Sequence, residues 1–275
     1  MPTRLFRAIP SEAKTLWLVS CLALTLTACT SAPLNRDATL YTYSTIDALL
    51  SGAYDGDLTI GELGRKGDFG LGTFNRLDGE MIALGGVFYH FRADGSVTVA
   101  NPGDKTPLAY VLPFKPTMAF ALEPALQATS LPAIEAFLDT SLPNKNMFYA
   151  VDITGDFADI TTRAIAAQVR PYRPLAELVK TQNLFNRTSV SGTLVGIRSP
   201  AFSKGFSVPG WHWHFISSDR SYGGHVLKIG SRKGTVKITP ATRVDLELPG
   251  TEDFANSDQT KDRSAELHLV EKEKP

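Results

Sequence analysis

The stretch Pro209–Leu227, PGWHWHFISSDRSYGGHVL, predicts how the C-terminal half of this chain folds. Its first part alternates large aromatic residues with histidine, which is the pattern of a β-strand with one face packed into a core. The middle is rich in serine and ends in two glycines, Gly223 and Gly224, as expected of a turn. A second strand follows, so the stretch predicts a β-hairpin.

Three of the chain's five histidines lie in this hairpin. His212 and His214 are separated by one residue and point to the same face of the first strand. His225 opens the returning strand, where the hairpin can bring its ring beside the other two. Three imidazoles with one open position form a common catalytic zinc arrangement, so we predict a metal site here. The spacing alone leaves the reaction open between hydration, hydrolysis, oxygenation and retention of a structural ion. We expect His90 and His268, each read as part of a strand, to be structural.

Outside the hairpin the two halves of the chain differ. Residues 40–185 mix predicted strands with predicted helices, such as Leu131–Pro143 and Arg173–Phe185. Residues 186–275 read almost entirely as strands punctuated by glycine and proline. We therefore predict an α+β protein, with a mixed α/β subdomain over 40–185 and a β-rich, zinc-binding subdomain over 186–275.

The N-terminus reads as a targeting segment. Basic residues precede an apolar run, Leu16–Ala28, that is too short for a comfortable membrane span. The run ends in Leu26-Thr27-Ala28-Cys29, which resembles the lipobox of bacterial lipoproteins, whose cysteine carries the lipid. This predicts a signal peptide over 1–28, lipidation of Cys29 and a tether over 29–39; an ordinary secretory signal is the alternative. The resemblance implies an extracytoplasmic protein held on a bacterial membrane by lipid alone, on the outer membrane if the cell is Gram-negative.

Composition excludes several functions. Lys and Arg total 28, as do Asp and Glu, and no basic stripe is present, so we predict no nucleic-acid binding. The glycines of GDFGLG lack the lysine and spacing of a nucleotide-binding loop. Apart from Cys29 the only cysteine, Cys21, lies in the leader, so the mature chain offers a metal only nitrogen and oxygen ligands.

Four stretches together resemble acetolactate decarboxylase: GDFGLGTFNRLDGE, TTRAIAAQVRPYRPL, GTLVGIRSP and the histidine hairpin. The resemblance runs from about Tyr41 to the C-terminus in the family's order. It implies decarboxylation of 2-acetolactate to acetoin at a zinc ion (Zn2+) held by His212, His214 and His225. It also implies two α/β subdomains, the second β-barrel-like, with zinc near their junction, and a homodimer.

The family's remaining site residues also map onto this chain by resemblance. They are two catalytic acids, a carboxylate-binding arginine and a site threonine: Glu80, Glu271, Arg163 and Thr73. Loss of CO2 from a β-keto acid leaves an enolate, which a metal can stabilise and a carboxylic acid can protonate. The sequence does not say which glutamate is the acid, and Glu266 and Glu273 lie close to Glu271.

Two alternatives to this reading stay open at the level of sequence. One is a different metal-dependent lyase or hydrolase that acts on another hydroxy-keto acid. The other is a non-catalytic lipoprotein that retains the fold and binds metal or a small acid. Both share the predicted metal site, and they differ from the first reading only in the reaction.

Overall fold

The computed structural model describes Met1 and residues 38–122 and 130–271. The predicted signal peptide beyond Met1, the lipidation residue Cys29 and Glu273 lie outside these residues. So does the predicted tether, except for Ala38 and Thr39. Residues 33–275 form one compact unit. No helix within the described ranges is long and apolar enough to span a membrane.

The described residues form fourteen strands and six helices. The strands are β1 (Thr39–Tyr43), β2 (Leu58–Thr59), β3 (Phe69–Thr73), β4 (Glu80–Leu84), β5 (Val87–Phe91), β6 (Val97–Val99), β7 (Lys105–Thr106), β8 (Ala109–Leu112), β9 (Met118–Ala121), β10 (Phe148–Ala164), β11 (Asn183–Ser199), β12 (Gly210–Ser217), β13 (Gly223–Ala241) and β14 (Arg243–Glu247). The helices are α1 (Ile46–Ser51), α2 (Ile60–Leu63), α3 (Leu131–Ser141), α4 (Leu175–Leu178), α5 (Glu252–Ala255) and α6 (Ser264–Glu271).

Twelve of these strands build two sheets. The seven-stranded sheet has the order β14-β1-β8-β3-β4-β5-β6, and only its β1–β14 pair is parallel. The five-stranded sheet has the order β10-β11-β12-β13-β9, with an additional pairing between β10 and β13. Strands β2 and β7 pair separately.

Alternation along the strands sorts side chains between the faces of these sheets. In β4, Met81 packs in one buried cluster and Ile82 in another that also contains Val195 and Ile216 of the five-stranded sheet. In β12, Trp213 packs on the opposite face, beside Leu138 of α3. The cluster that contains Ile82 therefore lies between the two sheets. Residues on the same strand face as Ile216 point into this inter-sheet space.

The aromatic face of β12 is tightly packed. The indole rings of Trp211 and Trp213 stack with centroids 5.0 Å apart and an interplanar angle of 8°. Gly196 on the paired strand β11 leaves room for them, because a Cβ atom there would lie 2.1 Å from Trp213 Cζ3. This packing fixes which face of β12 is turned toward the inter-sheet space.

The predicted α+β class and the hairpin are confirmed, and four details of the prediction differ. The β-barrel-like unit is not confirmed, because its strands form a sheet. The boundary predicted at residue 185 lies inside β11, and β14 from the later half joins the seven-stranded sheet. The predicted C-terminal strand at His268 is wrong, since these residues form α6. The predicted helix Arg173–Phe185 is reduced to α4 and a 3-10 turn, after which the chain enters β11.

Candidate active site

The hairpin brings the three predicted histidines together between the sheets. His214 and His225 are direct partners across β12 and β13, and His212 lies two residues earlier on the same face. Each ring offers one nitrogen within 4.8 Å of those of the other two. All three residues are buried. Neighbouring nitrogens in a buried cluster are the arrangement that a metal ion can bridge.

The orientation of the His214 ring is fixed by the seven-stranded sheet. Its Nδ1 lies 2.8 Å from the carbonyl oxygen of Met81, and since a carbonyl only accepts, Nδ1 carries the proton. Nε2 therefore holds a lone pair, and no described residue makes a hydrogen bond to it. Burial and the neighbouring His212 hold the pKa of His214 well below its usual value. The ring is thus neutral and ready to ligate a metal.

The other two rings face each other. His212 Nε2 lies 3.2 Å from His225 Nδ1, and each Nε2 lies 3.8 Å from Glu271 Oε2. Gly224, next to His225, allows β13 to approach β10. Its φ is +121°, and a Cβ atom there would lie 2.7 Å from the carbonyl oxygen of Arg163. The paired glycines thus do more than form a turn, since the second lets β13 run close beside β10.

Glu80 reaches the histidines from the seven-stranded sheet. It opens β4 opposite Thr73, the last residue of β3, and its Oε2 lies 3.4 Å from His214 Nε2. Burial and, to a smaller extent, the charge of Glu271 raise the pKa of Glu80 to about 8, although the Arg163 charge opposes the rise. The carboxyl group is therefore held as an acid near neutral pH in the metal-free site. Thr73 Oγ1 donates to the carbonyl oxygen of Gly79 at 2.6 Å, so its proton already has an acceptor.

Arg163 is a buried cation at the end of β10, directly across from His225. Its side chain donates from Nη1 to Oε1 of Gln182 at 3.1 Å, a neutral amide. Its Nε is buried and makes no hydrogen bond to any described residue. Burying a guanidinium with an unused donor costs free energy unless an anion pairs with it. We therefore expect a carboxylate to bind beside Arg163.

Helix α6 settles which C-terminal glutamate described by the structure reaches the site. Glu271, its last residue, lies at His212 and His225, whereas Glu266 pairs with Arg263 at 2.7 Å. A cavity of about 420 Å3 adjoins Glu271 and is also lined by Trp211 and Leu267. The resemblance had selected Glu271, and the helical geometry gives the reason.

The structure thus places Glu80 and Glu271 beside the histidines and Arg163 across from His225. Thr73 lies opposite Glu80, with its hydroxyl bonded to Gly79. Sequence reasoning missed two groups that orient site residues. The carbonyl of Met81 orients His214, and the side-chain amide of Gln182 orients Arg163. Neither residue type signals such a role, because a backbone carbonyl is present everywhere and a glutamine beside a turn is ordinary. Only the long-range contact reveals them.

Comparisons with known proteins agree on one family. Residues 40–261 match the family model described as alpha-acetolactate decarboxylase. The alpha-acetolactate decarboxylase of Methanosarcina mazei is 42% identical over 238 residues, which cover 86% of this chain and 82% of that protein. That of Bacillus subtilis is 41% identical over 79% of this chain and 84% of its own length. A crystal structure of the Bacillus subtilis enzyme superimposes with a TM-score of 0.82 at 38% identity, covering 86% of this chain and all of that one.

Proposed function

Since this chain belongs to the alpha-acetolactate decarboxylase family, we propose that it converts 2-acetolactate to acetoin with a zinc ion held by His212, His214 and His225. The observation that carries the proposal is the meeting of a buried arginine and two glutamate side chains at a cluster of three buried imidazoles. No simpler role accounts for so many ionisable groups in one buried place.

The three histidines fit a zinc ion. Their nitrogens lie within 4.8 Å of one another, and the Nδ1 of His214 is already committed to Met81, which leaves Nε2 for the metal. Imidazole nitrogen is a preferred zinc donor, and Glu271 adds a nearby carboxylate oxygen. When bound, zinc supplies a Lewis acid that stabilises negative charge developing on the substrate's oxygens.

Arg163 is suited to bind and orient the carboxylate that leaves. The fork geometry of a guanidinium matches a carboxylate through two parallel hydrogen bonds. Because Gln182 is neutral, it holds the Arg163 side chain in place without cancelling its charge. Fixing the carboxylate in this way aligns the C–C bond that breaks with the π system of the adjacent ketone. This orientation lowers the activation barrier for loss of CO2.

The two glutamates are suited to different proton tasks. Decarboxylation leaves a carbon that must accept a proton, and a buried carboxyl group with a raised pKa can supply it. Glu80 has that property in the metal-free site, where burial keeps its proton on. Glu271 lies on the opposite side, beside His212 and His225. We assign the proton donor to Glu80 and the placement of substrate oxygens to Glu271.

The test is an acetoin assay on the purified chain, either as isolated, stripped with a chelator, or stripped and reloaded with zinc. We expect turnover to disappear on stripping and to return with one zinc ion per chain. Failure of the zinc-loaded chain to release acetoin from 2-acetolactate would overturn the activity. Full activity in the stripped chain would overturn the zinc dependence alone.

We also propose that Cys29 is lipidated and that the lipid anchors the enzyme to a membrane outside the cytoplasm. The support is the lipobox of the sequence. Growing cells with a radiolabelled fatty acid should label the parent chain, and Cys29→Ser should remove the label and release the protein from the membrane fraction. Label retained in Cys29→Ser would contradict the assignment. We further propose a homodimer, and light scattering of the mature chain measures its mass.

A further inference from the structure

We propose that His90 is a positioning residue: it fixes the chain connection that carries Glu80, and so keeps that carboxylate in register with His214 and Arg163. The inference rests on the proposed function for its effect on turnover, and on the structure alone for its effect on the connection. Nothing in the sequence pattern of His90 indicates this role, because it has no histidine, cysteine or acidic partner at a metal-ligand spacing.

The connection in question, Phe74–Gly79, joins β3 to β4 and ends directly before Glu80. Its backbone is unusual: Arg76 and Leu77 have φ angles of +65° and +56°, followed by Gly79 at +71°. Non-glycine residues are strained in the left-handed region, and two consecutive ones are rare. Such a backbone holds its shape only where surrounding contacts impose it.

One group of contacts ties the connection to the strand end that bears Arg163. The amide of Gly79 donates to the carbonyl oxygen of Ile165 at 3.0 Å, and the amide of Gln168 donates to the carbonyl oxygen of Arg76 at 2.7 Å. Ile165 lies two residues after Arg163 in the chain. The connection therefore sets the spacing between the carboxylate and the guanidinium, which belong to different sheets.

A second group of contacts holds the other side. The side-chain amide of Asn75 exchanges two hydrogen bonds of 2.9 Å with the backbone of Gly56, and the Arg76 amide donates to the Tyr54 carbonyl at 2.7 Å. These contacts reach the beginning of the connection. Among the described residues two side chains hold Asp78, near the end of the connection. His90 bonds to its backbone carbonyl, and the Nε of the partly exposed Arg92 lies 3.6 Å from its Oδ2.

His90 lies on β5, where it pairs with Met81 of β4 and is buried. Its Nε2 lies 2.5 Å from the carbonyl oxygen of Asp78, so Nε2 carries the proton, and the ring stacks on Phe74 with centroids 3.8 Å apart. The residue thus touches both ends of the connection. Met81, its strand partner, is the residue whose carbonyl orients His214. The hydrogen bond of the His90 ring therefore goes to the connection that carries the acid and not to a proposed metal ligand.

Loss of the His90 hydrogen bond leaves the Asp78 carbonyl without its side-chain donor and frees the strained backbone to relax toward ordinary φ angles. The first residue to move is Glu80, which follows Gly79 directly. The three metal ligands stay in place, because none belongs to the connection. Proton delivery then fails while metal binding and carboxylate binding persist.

The experiment compares two substitutions with a control. His90→Phe keeps a ring stacked on Phe74 and removes the donor, whereas His90→Gln loses the ring and keeps an N–H at the position of Nε2. The control is Val99→Ala on β6, an exposed residue that pairs with Tyr89 of β5 and lies outside the contacts of the connection described above. Each chain is loaded with zinc, and kcat, KM, zinc content and the ratio of acetoin enantiomers are measured.

We expect His90→Phe to lower kcat about 10- to 100-fold while KM and zinc content change less than about two-fold, because an ångström of displacement has effects of that size. The product should also lose enantiomeric purity, since a displaced acid no longer reaches a single face. His90→Gln should recover at least half of kcat, and Val99→Ala should match the parent. A merely structural residue would lower the melting temperature and the active fraction but leave the enantiomer ratio intact.

Hydrogen exchange of the backbone amides of Arg76 and Gly79 tests the inference without turnover. In His90→Phe we expect about ten-fold faster exchange at these amides than in the parent, with other sheet amides unchanged. Unchanged exchange there, or an unchanged kcat and enantiomer ratio in a folded, zinc-loaded His90→Phe chain, would overturn the proposal. An inactive parent that shows the exchange difference would instead refute the proposed function and leave the positioning of the connection standing.

Discussion

The histidine hairpin and the two carboxylates meet at one point but are built in different ways. His212, His214 and His225 lie within fourteen residues on paired strands, and each is buried. Glu80 and Glu271 lie at the start of β4 and the end of α6, and they arrive from opposite ends of the chain. The ligands therefore need only a local hairpin to come together, whereas the acids need the whole fold.

This difference separates two properties of the site. Metal affinity should follow the integrity of the hairpin, because its strands position all three ligands. Turnover should depend in addition on groups whose position is set at long range, such as Glu80, Arg163 and Glu271. Substitutions can therefore remove turnover without removing metal, but the reverse should not occur.

The largest effect is expected at the hairpin. His214→Ala should lose both zinc and activity, with turnover falling by at least about 1000-fold, because a two-histidine site no longer holds the ion that stabilises the developing charge. Zinc analysis and the acetoin assay measure this, and His268→Ala, an exposed histidine of α6, is the control. Retention of one zinc ion per chain in His214→Ala would break the assignment of ligands.

Arg163→Ala should separate the two properties. We expect zinc binding to be retained and kcat/KM to fall by about 100- to 1000-fold, because the substrate carboxylate loses its charged partner in a buried site. Arg187→Ala removes an exposed arginine of β11 and should match the parent. Loss of zinc together with activity in Arg163→Ala would show that the two regions are not separable in this way.

Glu271→Gln should give a smaller loss, which tests the long-range group from α6. Turnover should fall about 10- to 100-fold as the carboxylate at the histidines is neutralised, with a limited decrease in zinc affinity. Glu266→Gln is the matched control, because this residue lies on the same helix and pairs with Arg263 instead. Equal losses in the two variants would mean that the helix rather than the carboxylate matters.

The smallest effect concerns stability against pH in the zinc-stripped chain. Burial raises the pKa of Glu80 to about 8 from 4.5, so the folded state binds a proton that the unfolded state releases, and ionisation costs stability as pH rises through this range. Glu80→Gln cannot ionise. Its unfolding free energy should therefore equal that of the parent near pH 4 and exceed it at pH 9 by more than about 1 kcal/mol, since one pKa unit is about 1.4 kcal/mol.

Denaturant titrations at the two pH values measure this difference. The fall in stability that comes from His214, whose lowered pKa acts in the opposite direction at acid pH, is common to both chains and cancels in the comparison. A parent that is as stable as Glu80→Gln at pH 9 would show that Glu80 ionises without cost in the fold.

The same contrast explains what the sequence could predict. The metal site followed from two rules of local geometry, alternation along a strand and return through a hairpin, and these do not depend on the rest of the fold. The acids and the arginine came only from resemblance to a family. Spacing could not provide them, because Glu80 and Glu271 lie 191 positions apart, and nothing local records that both approach the same histidine cluster.

The errors have local causes as well. Residues Ala265–Val270, AELHLV, alternate apolar and polar side chains like a strand, but alanine, glutamate and leucine are strong helix formers and the segment folds as α6. The helix predicted over Arg173–Phe185 stops early, because long-range pairing with β10 draws the chain into β11 from Asn183. The sequence predicts a structural role for His90 but not its partner, because no sequence pattern displays a bond to a backbone carbonyl.

The stacked indoles of Trp211 and Trp213 also give this protein an intrinsic optical signal. They are two of the three tryptophans in the sequence, the third being Trp17, and they alternate with two of the proposed ligands on one strand. Rings stacked at 5.0 Å couple electronically, so their circular dichroism and fluorescence depend on the geometry of β12. The strand that presents His212 and His214 can thus be followed spectroscopically, without a label and without substrate, as metal is removed and restored.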